Sequence, residues 1–176
     1  TAQAFPVPIQ MRAVVTGAAG FIGSTLTDLL LAEGHEVVGV DNFDDYYSGK
    51  MRFLSRHLEN KDFRLMEIDI LDLDALRQSF EDADVVFHMA AQAGVRISVK
   101  DPLRSHHANT TGTLNVLLAA RDEGVRRVVS SSSSSVYGNA VRLPAREMDP
   151  TVPISPYAAS KLAGEAMVMS YRHAYG

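Results

Sequence analysis

The segment Gly17-Ala18-Ala19-Gly20-Phe21-Ile22-Gly23 constrains the fold of this chain more than any other. Its glycines stand at every third position between a β-branched run, Arg12–Thr16 (RAVVT), and a stretch of helical periodicity, Phe21–Glu33, that stops at Gly34. A strand that turns through glycines straight into a helix opens a βαβ unit, because the helix returns the chain along one face of a sheet. The residues downstream follow that rule. Glu36–Val40 (EVVGV) reads as a second strand, and Phe63–Ile68, Asp84–Met89 and Arg127–Ser130 as the next three. Between them, Asp44–Glu59 reads as a polar and aromatic loop with a short helix, and Asp72–Phe80 as a helix. Pro102–Glu123 reads as one long helix with apolar Leu114, Leu117 and Leu118. Pro156–Tyr175 is a last helix, whose Ala159, Ala163 and Ala166 allow close packing on a neighbour. Strands alternating with helices imply parallel pairing and helices on both faces, so the fold class is α/β, a Rossmann-like doubly wound parallel sheet.

Length and composition suit one such domain. The 176 residues are 46% hydrophobic and 22% charged, which excludes a disordered tail, a collagen-like fibre and a coiled coil. There is no cysteine, so disulfides, Cys-ligated metals and thiol nucleophiles are excluded, and a reducing, cytoplasmic setting is expected. A net charge of −4 offers no attraction for nucleic acid or an anionic membrane. No apolar run approaches the roughly 20 residues of a membrane span. Residues 1–10, TAQAFPVPIQ, lack the basic start and apolar stretch of a signal peptide and read as a tag remnant or flexible arm before Met11. The nucleotide-binding domain is expected over residues 11–176.

The glycine turn has a chemical use. Glycines let a diphosphate reach backbone N–H groups, and the helix that follows adds partial positive charge at its N-terminus. A cofactor is expected at Gly17, Gly20, Phe21, Ile22 and Gly23. Asp41 ends the second strand, 18 residues after Gly23, where a carboxylate accepts both ribose hydroxyls of an adenosine. That carboxylate repels a 2′-phosphate, and no arginine stands at 42 or 43 to offset it, so NAD is favoured over NADP. Asp69, after the third strand, either binds the adenine amino group or caps the next helix.

A second constellation lies further along the chain. Tyr157 and Lys161 are four apart at a helix start, on one helical face. A nearby ammonium favours a phenolate, and a tyrosine so tuned removes a proton from a sugar hydroxyl near neutral pH. Ser133 lies just beyond the fifth strand, at the carboxyl edge where ligands bind in such sheets. It belongs to a six-serine run, Ser130–Ser135, and spacing alone does not fix which serine acts.

Taken together, VTGAAGFIGS, VVGVDNFDDYY, VFHMAAQAGVR, NTTGTLNVL, SSSSSVYG and SPYAASK resemble the extended short-chain dehydrogenase/reductase family, in particular its nucleotide-sugar epimerases and dehydratases. The segments occur in family order across nearly all of Met11–Gly176. The resemblance implies a bound NAD recycled within each turnover and a UDP-sugar substrate. It assigns Asp41 and Asn42 to the ribose, Asp69 and Ile70 to the adenine, and Met89, Ala90, Ala91 and Gln92 to the strand-four loop along the cofactor. It places Asn109 toward the nicotinamide side, Ser131 and Ser132 along the cofactor, and Ser133, Tyr157 and Lys161 at the reacting sugar. For a 4-epimerase it implies that Tyr157, assisted by Ser133, takes the 4-hydroxyl proton while C4 gives a hydride to NAD and receives it back on the other face.

Within the family, 4,6-dehydratases resemble this pattern but carry an Asp-Glu pair after the catalytic Thr, and decarboxylases carry a glutamate at the second of those positions. Ser134 and Ser135 stand there in this chain, so epimerisation is the reading left. AAQAGVR and DNFDDYY look most like UDP-glucuronate 4-epimerases, with UDP-glucose 4-epimerases close behind. Hydroxyls at Ser133–Ser135 suit a C6 carboxylate, and Arg96 meets either a phosphate or an exposed ion-pair partner. A homodimer through the helices 102–123 and 156–175 is also implied by resemblance. Family members continue into a C-terminal substrate domain, so this chain reads as the incomplete, cofactor-binding part of an epimerase. The alternatives are a non-catalytic NAD-binding module or one subunit of a split enzyme.

The other candidates have plainer roles. His106 and His107 are adjacent and make a poor metal pair, so no metal site is expected. His88 reads as a packed core histidine, and Asp72 and Asp74 as a favourable helix start.

Overall fold

The computed structural model describes residues 10–176; the arm expected over residues 1–10 lies almost wholly outside them. Five strands form one sheet: β1 (Arg12–Thr16), β2 (Glu36–Asp41), β3 (Phe63–Glu67), β4 (Val85–His88) and β5 (Arg127–Ser130). Every pairing is parallel and the order is β3-β2-β1-β4-β5. The chain winds outward from β1 in both directions, so the helices on either side of it diverge and leave a crevice at the carboxyl ends of β1 and β4.

The strands are apolar because both faces are covered. Side chains alternate across a strand. Ala13 and Val15 pack with Val37, Val85, Leu30, Leu54 and Phe63 on one face, beneath α1 (Phe21–Ala32). Val14 packs with Val38, Val40 and Val86 on the other. That second face is closed by Leu76 and Phe80 of α2 (Leu73–Phe80) and by Val116, Ala119 and Ala120 of α5 (Gly112–Asp122). Burying one Val or Leu side chain is worth about 1.5–3 kcal/mol, so the two layers fix which strand faces which helix.

Local chemistry sets the helix starts. Asp72 Oδ1 accepts from Ala75 N–H at 3.0 Å and caps α2, so the cap is Asp72 and not Asp69. Ser155 Oγ accepts from Ala158 N–H at 3.1 Å and caps α6 (Pro156–Tyr175), with Pro156 in the first turn. A six-residue helix, α3 (Val95–Lys100), follows Gly94, whose φ of 111° lets the chain turn into it. It is too short to show a period in the sequence.

Two sequence expectations are corrected. The helix 102–123 is not uniform: α4 (Pro102–His106) runs into a π-helical segment, His107–Thr111, before α5. The wider turn falls where Asn109 is drawn inward by hydrogen bonds to Gln92. On α6 the packed face is Ala158, Ser160, Lys161 and Gly164, whereas Ala159 and Ala166 are exposed. Gly164 lies on the face turned to Asn109 and Thr113, where a Cβ would make ordinary contact at 3.7 Å. Among the described residues no helix is long and apolar enough to cross a membrane, and no group of three His, Cys, Asp or Glu side chains could hold a metal ion.

Candidate functional site

A cleft of about 710 Å³ opens at the carboxyl edge of the sheet. It lies within the roughly 300–1,000 Å³ typical of ligand sites. Its floor is the glycine turn. Gly17 sits at φ 70°, and a Cβ there would stand 2.7 Å from Ala90 N. A Cβ on Gly23 would stand 2.1 Å from the Gly17 carbonyl oxygen. Glycine is therefore required at both ends of the turn for the backbone to close on itself. Gly20 precedes α1 and provides no side-chain cap, so the first helical turn, with Phe21 and Ile22, faces the cleft. This cradle of backbone and a helix N-terminus, with the Tyr47 hydroxyl at its rim, fits a dinucleotide diphosphate.

Every cofactor residue expected from the first four strand ends lines this cleft: Gly17, Gly20, Phe21, Ile22, Gly23, Asp41, Asn42, Asp69, Ile70, Met89, Ala90, Ala91 and Gln92. Asp41 is 6% exposed and already fixed. Its Oδ2 accepts from Ala19 N–H at 3.0 Å and its Oδ1 from Phe43 N–H at 2.8 Å, which ties the end of β2 to the glycine turn. A carboxylate oxygen can accept more than one hydrogen bond, so both remain available to ribose hydroxyls. Asn42 Nδ2 donates to Asp69 Oδ2 at 3.0 Å, joining the ends of β2 and β3.

One stretch of the wall was not anticipated. Asp44, Tyr46, Tyr47 and Lys50 of the loop after β2 line the cleft, and so do Leu103, Arg104 and His107. Arg104 Nη2 donates to Asp44 Oδ2 at 2.6 Å and to Asp45 Oδ1 at 3.1 Å, joining α4 to the loop after β2. Burial raises the Asp44 carboxyl, but the hydrogen bonds from Arg104 and Tyr46 N–H and the charges of Arg104 and Lys50 outweigh it and hold the group below its ordinary range. Burial, and then the Asp41 charge, push the Tyr47 phenol up. The Asp-Asp-Tyr-Tyr run was the visible signal for this wall, but its contact with Arg104 spans 60 residues.

Of the catalytic candidates, Lys161 lines a second, smaller cavity of about 200 Å³, whereas Ser133 and Tyr157 line neither cavity. Asn109, Ser131, Ser132 and Lys161 line it, together with Thr113 and Glu165. Ser133 caps a short 3-10 turn, Ser134–Tyr137, with its Oγ accepting from Ser135 N–H at 3.2 Å. Its own hydroxyl hydrogen stays free to donate. Tyr157 is half-buried in the first turn of α6 and lines neither cavity. Lys161 is 8% exposed; burial holds its ammonium below its ordinary value, and Glu165 opposes that shift. Ser132 Oγ donates to Glu165 Oε1, tying the serine run to α6. Glu165 lies one helical turn past Lys161, a spacing visible in the sequence. Arg96 is exposed on α3 and lines neither cavity.

The two cavities are joined by a directed chain of hydrogen bonds. Asn109 Oδ1 accepts from Gln92 N–H at 2.7 Å, and its Nδ2 donates to Gln92 O and to Ser160 Oγ. Thr113 Oγ1 donates to Asn109 O at 2.7 Å, so it must accept from His88 Nε2–H, 3.0 Å away. Nδ1 of His88 is then the acceptor and takes the Thr16 hydroxyl at 2.8 Å. Burial, and then the Lys161 charge, lower His88 to about 3, so the ring is neutral with its proton on Nε2. His88 is thus buried as expected, but as a polar link between β1, β4 and α5.

Comparison with known proteins gives a consistent picture. A family model described as GDP-mannose 4,6 dehydratase matches residues 14–176. A UDP-glucose 4-epimerase of Mycolicibacterium smegmatis is 47% identical over 168 residues, 94% of this chain and 52% of that protein. A solved UDP-glucuronic acid 4-epimerase variant from Bacillus cereus, in complex with a fluorinated UDP-glucuronic acid and NAD, is 35% identical with a TM-score of 0.86, covering 93% of this chain and 52% of the other. DesIV, a dTDP-glucose 4,6-dehydratase from Streptomyces venezuelae solved with NAD bound, is 34% identical with a TM-score of 0.88, covering 94% and 53%. The chain spans about half the length of the first two of these relatives.

Proposed function

The chain belongs to the GDP-mannose 4,6 dehydratase family of extended short-chain dehydrogenases/reductases, and from that membership we propose that it is the NAD-binding and catalytic part of a UDP-sugar 4-epimerase acting on UDP-glucuronate or UDP-glucose. The glycine turn receives the cofactor diphosphate, Asp41 the adenosine ribose, and Asp69 and Ile70 flank the adenine. When bound, NAD supplies an acceptor for the hydride of the sugar C4 and returns it to the opposite face. Tyr157 Oη removes the proton from the sugar 4-hydroxyl, and Lys161 offsets the negative charge that develops there. Ser133 donates its free hydroxyl hydrogen to the same oxygen.

The single observation that carries epimerisation over dehydration is the chemistry past β5. Positions 134 and 135 are hydroxyls and not carboxyls, so no acid–base pair stands there to expel water from C5 and C6. The solved neighbours do not discriminate, since the epimerase and the dehydratase match equally well by TM-score. The proposal includes a homodimer, which sedimentation of the purified protein reads directly.

The test is to incubate the full-length protein with UDP-glucuronate or UDP-glucose and follow the C4 epimer by NMR. The expected result is interconversion, lowered about a thousandfold in Tyr157→Phe, within the range that general acid–base groups contribute. A 4-keto-6-deoxy product would assign a dehydratase instead. Undiminished turnover in Tyr157→Phe would remove the assigned base.

A further inference from the structure

The preference for NAD drawn from the sequence rests on two points: Asp41 repels a 2′-phosphate, and no arginine follows at 42 or 43. The structure keeps the first and alters the second. The 3-10 turn Lys50–Phe53 carries Lys50 back to the end of β2. Its Nζ lies 3.8 Å from Asp41 Oδ1 and 5.2 Å from the centroid of the Tyr47 ring. The side chain is 11% exposed and lines the cleft, so the ammonium is part of the wall and not a solvated surface charge. Held between a carboxylate and an aromatic face, it has little freedom to swing away. Any group attached to the ribose 2′-oxygen beside Asp41 also stands beside Lys50.

We propose that Lys50 is a specificity-determining residue that receives the 2′-phosphate of NADP, so that this cleft binds NADP as a second, weaker ligand. This rests on the reading of the cleft as a dinucleotide site. NAD stays the tighter ligand, because Asp41, Asp44 and Asp69 line the same cleft and Arg104 is already engaged by Asp44 and Asp45. Lys50 partly offsets that negative field at the one point where the two cofactors differ.

The experiment is calorimetric titration of the chain with NAD and with NADP, in the wild type, Lys50→Met and Lys50→Arg. Wild type is expected to bind NADP measurably, about ten- to a hundredfold more weakly than NAD. Lys50→Met is expected to weaken NADP by about a further tenfold, the loss of one hydrogen bond to a charged group, and to weaken NAD by less, so that the preference for NAD over NADP widens. Lys50→Arg should retain NADP binding. A measurement on the wild type alone gives a second reading: added salt should weaken NADP more than NAD, because the extra contact is ionic. Undetectable NADP binding, or equal loss of both ligands in Lys50→Met, or equal salt dependence, would overturn the proposal. If neither dinucleotide binds the wild type, the cofactor reading itself falls, and this proposal falls with it.

Discussion

Around Asp41 the polar groups are held by near neighbours: two backbone N–H groups fix its carboxylate, and beneath it β1 is buried from residue 13 to residue 16 and β2 from residue 37 to residue 41. Around Lys161 the arrangement is looser. β5 alternates between exposed and half-buried residues, Val129 is 41% exposed, and the Lys161 ammonium is buried with no ion-pair partner among the described residues. The cofactor end is thus built from a local turn that closes on itself. The other end is assembled from β5, the serine run and α6, which meet through packing and the hydrogen bond from Ser132 to Glu165. A turn that closes on itself is rigid but intolerant of added atoms, whereas an assembled site tolerates local change and loses chemistry instead.

Substitutions can separate the two regions. The largest effect is expected from Gly23→Ala, whose Cβ would collide with the Gly17 carbonyl. We expect a loss of about 3 kcal/mol of stability, at the upper end of overpacking costs, and loss of dinucleotide binding, read by urea unfolding and calorimetry. Ser133→Ala should do the reverse, lowering turnover about a hundredfold while cofactor affinity stays unchanged and the lost cap to Ser135 N–H costs only about 1 kcal/mol of stability. If Ser133→Ala weakened cofactor binding as much as turnover, the separation between the regions would not hold.

The link between the regions gives a pH test. His88 is neutral in the fold, with a value lowered from 6.5 to about 3. In the unfolded chain it takes up a proton below about 6.5, so the unfolded state binds more protons between those limits and stability falls as pH drops through that window. We expect full stability from this group above pH 6.5 and a loss of roughly one kcal/mol for each pH unit below it. Urea unfolding at pH 7 and pH 5.5 measures this above the range in which the carboxylates titrate. His88→Asn should flatten the slope; an unchanged slope would assign it to another group.

The smallest effect is expected at the Arg104 bridge. Arg104→Ala removes an exposed ion pair worth about 1 kcal/mol or less, so stability should scarcely change. The bridge nonetheless pins the Tyr46–Tyr47 loop, whose Tyr47 hydroxyl donates to Ala19 O of the glycine turn at 3.4 Å. Cofactor release, followed by fluorescence, is expected to quicken a few-fold, as the loss of so weak a contact allows. An unaltered release rate would mean that the loop is held without Arg104.

Much of this was legible in the chain. RAVVT and RVVS define β1 and β5 residue for residue, because β-branched runs bounded by glycine or by the serine segment leave no other placement. The thirteen expected positions on the cleft follow from one turn and the carboxyl ends of the strands, since a parallel sheet presents those ends together. The π-helical segment at His107–Thr111 was not legible, because it answers to Asn109 reaching Gln92 and leaves no periodicity of its own. Nor was the wall of Lys50, Tyr47 and Arg104, whose members come from two segments far apart along the chain.

The order of strands and helices, the glycine turn and the chemical types at 41, 133, 157 and 161 are properties of the sequence alone, because each depends on residues within a few positions of one another. Which side chains face one another across the cleft is decided only by the tertiary structure. Lys50 meets Asp41, Arg104 meets Asp44, and His88 joins Thr16 to Thr113. These contacts exist because packing on both faces of the sheet brings distant segments within hydrogen-bonding or ionic reach, a distance that no spacing along the chain encodes.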